Sequence, residues 1–191
     1  VSLEFLSRTP EALAFERALE RHLSNRFPVA RANENASFAP FMRAYEEKLT
    51  LPDFFCLPRA NAYPFFVEAK FKTGAPIMEI WGDVRTTGID LHKAQTYQKV
   101  ERVTGCTVFL MFGHKSENEI RIGRMHNWTP GIGEFGKRMA WWLYDNLEVY
   151  DMASYTEMLD GPEPSSRLSY NEFWSEAGRR PIPEQLPGLE G

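Results

Sequence analysis

Pro52-Asp53-Phe54-Phe55-Cys56 and, after a loop, Phe65-Phe66-Val67-Glu68-Ala69-Lys70-Phe71 are the segments that decide how this chain folds. The second run alternates with a period of two. Phe65, Val67, Ala69 and Phe71 therefore fall on one face of a strand, and Phe66, Glu68 and Lys70 on the other. An acid and a base share a face of a strand that is otherwise apolar, and burying unpaired charge is costly unless a partner or a metal compensates. Leu51 to Pro58 reads as a shorter strand with proline at each end, where it breaks no central ladder bond. Pro52-Asp53 is the only Pro-Asp of the chain, and 14 residues separate it from Glu68-Ala69-Lys70. If the two strands pair antiparallel, Asp53, Glu68 and Lys70 converge at one end of a sheet. Glu46-Glu47-Lys48 repeats the Glu-x-Lys spacing in an exposed helical setting, so the strand context gives the tripeptide its meaning.

On the N-terminal side, Thr9-Pro10 pairs an N-cap hydroxyl with proline at the first helical position and predicts a helix from about Pro10 to Ser24. Ala12, Phe15, Leu19 and Leu23 form its buried face. Glu16 lies on the edge of that face, turned either toward a site or toward a neighbouring arginine. Phe38, Phe41, Met42, Tyr45 and Leu49 make a second helical stripe, read as core. On the C-terminal side, Ile77 to Val84 predicts a strand and turn. A helix follows from about Asp90 to Thr104, stopped by Gly105 and carrying Gln95, Tyr97, Gln98, Lys99 and Arg102. Val108 to Phe112 is a continuous apolar run, as in a strand covered on both faces, and Glu119 to Met125 alternates like a strand nearer an edge. This order implies a sheet with helices against it. Lys137 to Leu147 and Met152 to Leu159 are predicted as further helices, with Met139, Trp142 and Leu143 as a core stripe and Trp141 and Trp142 adjacent on a helix. From Gly161 onward five prolines and few apolar positions predict an extended tail.

Composition sets the remaining bounds. A length of 191 residues gives one domain, and 43% hydrophobic, 25% charged and 14% aromatic residues give a globular one. The longest apolar runs fall far short of the roughly 20 residues that cross a bilayer, so the expectation is a soluble, non-secreted, cytoplasmic protein without a membrane partner. Cys56 and Cys106 have neither disulfide-framework nor zinc-knuckle spacing and are read as reduced, buried thiols. His92 and His114 likewise lack a metal-spaced companion. The net charge of −4 is unevenly distributed: residues 145–191 hold 10 acidic against 3 basic residues, net −7, and residues 1–144 hold 19 basic against 16 acidic, net +3. A mildly basic body is compatible with nucleic acid.

Two carboxylates beside an ammonium suit metal-assisted phosphodiester hydrolysis. Mg²⁺ prefers hard oxygen ligands and keeps several waters, so Asp53, Glu68 and the carbonyl of Ala69 form a suitable ligand set, with Lys70 beside the attacking water. The same residues also make sense as a buried Asp–Lys–Glu ionic network without metal.

The order Glu16, Pro52-Asp53, Glu68-Ala69-Lys70 on a phenylalanine-rich strand, and Gln95 on the helix before Val108 to Phe112 resembles the PD-(D/E)XK nuclease superfamily, with its restriction-endonuclease-like fold. The resemblance spans about residues 9–126. It implies an α/β fold in which a central mixed sheet of about four or five strands is flanked by helices, and Mg²⁺-dependent cleavage of DNA, with Mn²⁺ able to substitute. Position by position, it makes Asp53 and Glu68 metal ligands, Lys70 the catalytic lysine, Glu16 the first-helix acid and Gln95 the helix glutamine that contacts the site. RecB-type branches place a tyrosine four residues after that glutamine, where this chain has Lys99. The 38–49 helix looks like an insertion. The expected organisation is one nuclease-like domain over 1–160, a core at about 9–126 followed by a helical extension at about 127–160, then an acidic, proline-rich tail over 161–191. Lys72, Arg85, His92, Lys93, Lys99 and Arg102 bracket the expected site and are candidates for phosphate contacts. The expected partners are double-stranded DNA, a second copy of the chain for cutting both strands, and a protein that meets the acidic tail. From another functional class, a noncatalytic nucleic-acid-binding or assembly module would retain the same fold.

Overall fold

The Thr9 hydroxyl accepts a hydrogen bond from the Ala12 N–H at 3.2 Å, and Pro10 occupies the first turn, so α1 (Pro10–Ser24) begins where cap and proline coincide. The computed structural model describes residues 9–32, 50–58, 63–75, 77–78, 83–133 and 136–161. After α1 come β1 (Val29–Arg31), β2 (Phe54–Cys56), β3 (Phe65–Lys72), β4 (Ile77–Met78), β5 (Val84–Asp90) and α2 (Leu91–Thr104). They are followed by β6 (Thr107–His114), β7 (Glu119–Arg124), β8 (Thr129–Ile132), β9 (Arg138–Leu143), a 3₁₀ turn (Tyr144–Asn146), β10 (Glu148–Val149) and α3 (Tyr155–Leu159). The predicted helix over residues 38–49 and the tail beyond Gly161 lie outside the described residues. Among those residues no helix is long and apolar enough to cross a membrane.

Six strands form the main sheet in the order β1-β2-β3-β6-β7-β10. β3 and β6 run parallel over eight paired positions, from Phe65 opposite Thr107 to Lys72 opposite His114, and their neighbours are antiparallel. A parallel pair needs a crossover, and α2 provides it. α2 stops at Gly105, whose left-handed φ of 67° lets the chain turn back into β6. The fold is thus the α/β arrangement of a central mixed sheet flanked by helices.

The alternation of β3 divides the core in two. Phe15, Ala18, Leu19 and Leu23 of α1 pack with Phe54, Val67 and Met111 on one face of the sheet, joined by Tyr155 and Met158 of α3. On the other face, Phe66, Val108, Leu110 and Phe112 meet Leu91, Ala94, Tyr97 and Val100 of α2. The Phe15 ring lies so close over Gly113 that a Cβ there would stand 2.4 Å from it.

The region after Met125 departs from expectation. Lys137 to Leu147 is not a helix, and the extension at 127–160 is mostly strand: β8 and β9 form a hairpin, and β9 pairs with β5, giving a second sheet in the order β4-β5-β9-β8. Met139, Trp142 and Leu143 are spaced three and one apart, which fits a helical stripe. The segment Met139-Ala140-Trp141-Trp142-Leu143 is also a short run of β-favouring residues, and a strand covered on both faces gives the same apolar pattern. Ala140, Trp141 and Trp142 are all buried, and the two tryptophans point to opposite faces of the strand. Only Tyr155–Leu159 of the predicted 152–159 helix forms, capped by Ser154 and Glu157 in a reciprocal capping box. The main sheet has six strands where four or five were expected.

Because a Cβ at Gly113 would force the fully buried Phe15 ring to shift, Gly113→Ala is expected to destabilise the fold by about 1–3 kcal/mol, read as a lower denaturation midpoint at an unchanged m-value.

Candidate active site

The β2–β3 ladder ends at the pair Phe54 and Val67, and the next position on each strand is a carboxylate, Asp53 opposite Glu68. Backbone hydrogen bonding there passes to side chains. Asp53 Oδ2 accepts from the Ala69 N–H at 2.9 Å, and Glu68 Oε2 accepts from the Asp53 N–H at 3.2 Å. Both residues are buried, at 4% and 2% exposure. Lys70, two residues along the same face, donates from Nζ to Glu68 Oε1. A strand residue directs its N–H and its C=O to the same neighbour, so the Ala69 carbonyl leaves β3 on the Asp53 side, past the end of β2.

The two acids are shifted in opposite directions. Burial pushes the Asp53 carboxyl up to about 8, and the charges of Glu68 and Glu16 push in the same direction, against a smaller pull from Lys70 and the Ala69 N–H. Burial also acts to raise Glu68, but the Lys70 charge and hydrogen bond outweigh it, helped by the Lys93 charge and a hydrogen bond from Tyr97, and hold Glu68 below its ordinary value. The centre is a crowded carboxylate pair that Lys70 only partly compensates, and a divalent cation suits that imbalance. Among the described residues no three His, Cys, Asp or Glu side chains are grouped closely enough to hold a metal by themselves. Two carboxylates, the Ala69 carbonyl and water are nevertheless the kind of donor set in which Mg²⁺ is ordinarily held, with several waters retained.

The expected residues separate into three groups. Asp53, Glu68, Ala69 and Lys70 come together. Glu16 is buried on α1 and forms an ion pair with Arg31 at 3.1 Å, while Arg31 also meets Glu20 at 2.6 Å. Glu16 acts on the centre through its charge on Asp53. Gln95 is exposed on α2, about 200° around the helix from both Lys93 and Tyr97 at 100° per residue. Lys93 and Tyr97, four apart and so on one side of α2, are the helix residues that act on Glu68. The four-residue spacing to a tyrosine therefore starts at Lys93 in this chain. The signal in the sequence was Tyr97 itself, which continues the buried series Leu91, Ala94, Tyr97, Val100.

Lys70 and Lys93 open into a cleft of about 1210 Å³ above the C-terminal end of β3, between the main sheet and the β5-β9-β8 sheet. Lys72 also lines it and donates to the Gly88 carbonyl at 2.5 Å. Burial and the Lys70 charge bring the Lys72 ammonium down to about 8. The other candidate phosphate contacts are not among the described residues that line the cleft. Arg85 pairs with Asp145 and lies over the Tyr144 ring, His92 is exposed, and Lys99 and Arg102 sit farther along α2.

No protein-family model matches the chain, and no curated protein does. Among solved structures the chain is similar to Hjc, a Holliday junction resolvase from the archaeal hyperthermophile Archaeoglobus fulgidus, with 10% identity over 71% of this chain and 85% of that one and a TM-score of 0.46. It is also similar to D212, a nuclease from a fusselovirus, with 11% identity over 82% of this chain and 88% of that one and a TM-score of 0.34.

The raised Asp53 carboxyl has a measurable consequence. Between its ordinary 3.8 and about 8, the folded state holds a proton that the unfolded state has lost, so this group makes stability fall as pH rises. His22 and His114, both lowered to about 4 chiefly by burial, act in the opposite sense below 6.5. The Asp53 effect is therefore read between pH 6.5 and 8, without divalent metal. There the stability advantage of Asp53→Asn over wild type is expected to grow with pH by up to about 1.4 kcal/mol per unit in equilibrium denaturation.

Proposed function

We propose that this chain is a divalent-metal-dependent nuclease that hydrolyses DNA phosphodiester bonds at Asp53, Glu68 and Lys70. The observation that carries this reading is the pair of buried carboxylates one register step past the end of β2, joined by an ammonium that reaches the floor of a lysine-lined cleft. A purely structural ionic network has its charges matched, because an unmatched buried charge is costly. Here Lys70 is only partly buried and faces the cleft, and Asp53 keeps an excess of negative charge around it.

Asp53, Glu68 and the Ala69 carbonyl are the ligands for Mg²⁺, with Mn²⁺ as its substitute. When bound, the ion supplies Lewis acidity toward the phosphate and makes water a stronger nucleophile at neutral pH. The other roles belong to the protein's own groups. The Asp53 N–H and the Tyr97 hydroxyl fix the orientation of Glu68. The Ala69 N–H does the same for Asp53, so the carboxylate geometry is set by the sheet. Lys70 presents an ammonium where charge develops on the phosphate oxygens in the transition state, and Lys93 adds a second positive charge on the α2 side. Glu16, held by Arg31, contributes negative potential at Asp53 and strengthens its pull on a cation.

Purified protein is expected to cut DNA in Mg²⁺ or Mn²⁺ and not in EDTA, and Lys70→Ala is expected to lower kcat by at least about 10²-fold while the fold, read by circular dichroism, is retained. Equal rates in Lys70→Ala and wild type contradict the assignment. Binding that weakens steeply with salt, without turnover in either metal, identifies the noncatalytic module instead.

A further inference from the structure

We infer that the cleft between the two sheets takes a single unpaired DNA strand, with its phosphates on the lysine side and its bases against the β8–β9 side. This rests on the nuclease reading and narrows it to a substrate class. Lys70 and Lys72 come from β3 and Lys93 from α2, so three ammonium groups line one side of the recess, and Lys137 adds a fourth from the β8–β9 connection. The acids in the same lining are Asp90 and Glu117. Lys137 meets Asp90 at 2.7 Å, and Glu117 is engaged by Ser116 Oγ at 2.8 Å and the Ala75 N–H at 3.2 Å. Lys70 is paired with Glu68 and Lys137 with Asp90, which leaves Lys72 and Lys93 against Glu117 and gives the recess a small positive surplus, as a phosphate backbone requires.

Lys137 apart, the opposite side is apolar. Met139 and Trp141 of β9 line it, and Ile132, at the end of β8, stands at 59% exposure. An exposed isoleucine at the rim of a recess gains nothing from phosphate or water, whereas the flat face of an unstacked base fits it. A double helix offers its backbone outward and keeps its base faces inside the stack, so it could meet the lysines but leave the apolar side without a partner. The recess is also closed below, where Lys72 spans from β3 to the Gly88 carbonyl of β5. Lys70 works from that floor, so the scissile phosphate has to enter between the walls. A flexible single strand can follow that path.

The test uses the full chain and three DNA circles: single-stranded, relaxed covalently closed duplex, and duplex with a single-stranded gap. Each is assayed in Mg²⁺ and Mn²⁺, beside a single-stranded RNA. Anisotropy of a labelled DNA strand and of the same strand in duplex is read in EDTA, where cleavage plays no part. The single-stranded and gapped circles are expected to be cut at least about tenfold faster than the closed duplex. Ile132→Ser, a change at an exposed edge position, is expected to weaken strand binding at least about fivefold. Lys93→Met is expected to reduce the slope of log Kd against log salt by about 0.7, one phosphate contact on a single strand. A closed duplex cut as fast as the single strand, with strand binding indifferent to Ile132, overturns the inference and leaves the nuclease reading in place. Preferential cutting of RNA overturns DNA as the substrate. No cleavage of any polymer, with strand binding still sensitive to Ile132 and Lys93, overturns the hydrolytic reading and keeps the strand-binding cleft.

Discussion

Asp53 takes the place of a rung in the β2–β3 ladder. The strand pairing runs out at Phe54 and Val67, and the Ala69 N–H that would otherwise lack a partner inside the protein is met by the Asp53 carboxylate at 2.9 Å. Glu68 returns a bond to the Asp53 N–H, so each of the two acids satisfies the backbone of the other's strand. Their spacing is therefore set by strand pairing, which loops cannot loosen, and a centre held this way can keep two carboxylates close together without solvent. The expense of that arrangement shows in the raised Asp53 carboxyl, and Lys70, Lys93 and Tyr97 lower Glu68 to offset part of it. What Lys70 leaves uncompensated is met below about pH 8 by a proton on Asp53, at one end of a sheet beneath a cleft lined by lysines.

The second sheet turns this centre into a site with an entrance. Without β8 and β9, the C-terminal end of β3 would face open solvent. With them, Lys70, Lys72 and Lys93 lie at the base of a recess whose other side is Ile132, Met139 and Trp141. The Lys72 bond to Gly88 O joins the two sheets at that base, so a residue two positions from Lys70 links the chemistry to the wall that limits access to it. The centre and its access are in this way built from one strand: Glu68 and Lys70 stand at the centre, and Lys72 closes the floor of the cleft above it.

Much of this was legible in the chain because the signals were local. The alternation from Phe65 to Phe71 fixed which face Glu68 and Lys70 share, Pro52-Asp53 marked the start of the neighbouring strand, and Thr9-Pro10 and Gly105 set helix ends that the structure reproduces. Other features depended on distant partners and could not be read. Met139 to Leu143 is apolar enough for either a helix or a doubly covered strand, and only its pairing with β5 makes it a strand. The side of α2 that faces the centre is a related case: the resemblance points to Gln95, which the structure leaves exposed. On a helix carrying many polar residues, Gln95 and Lys93 are equivalent by composition, and the burial of Tyr97 beside Glu68 decides which side faces the centre. Glu16 stood between a neighbouring arginine and the site, and it meets both: its carboxylate pairs with Arg31 while its charge reaches Asp53.

The central claim is that Asp53 and Glu68 are a cation site whose charge is incomplete without metal. Titrating metal-free protein with Mn²⁺ in a calorimeter, followed by the loss of the free-ion electron paramagnetic resonance signal, tests it directly. The account predicts one ion per chain, bound with release of a proton and more tightly as pH rises toward about 8, where Asp53 ionises, with binding lost in Asp53→Asn. Absence of binding in the wild-type protein, or binding of equal strength in Asp53→Asn, would contradict it.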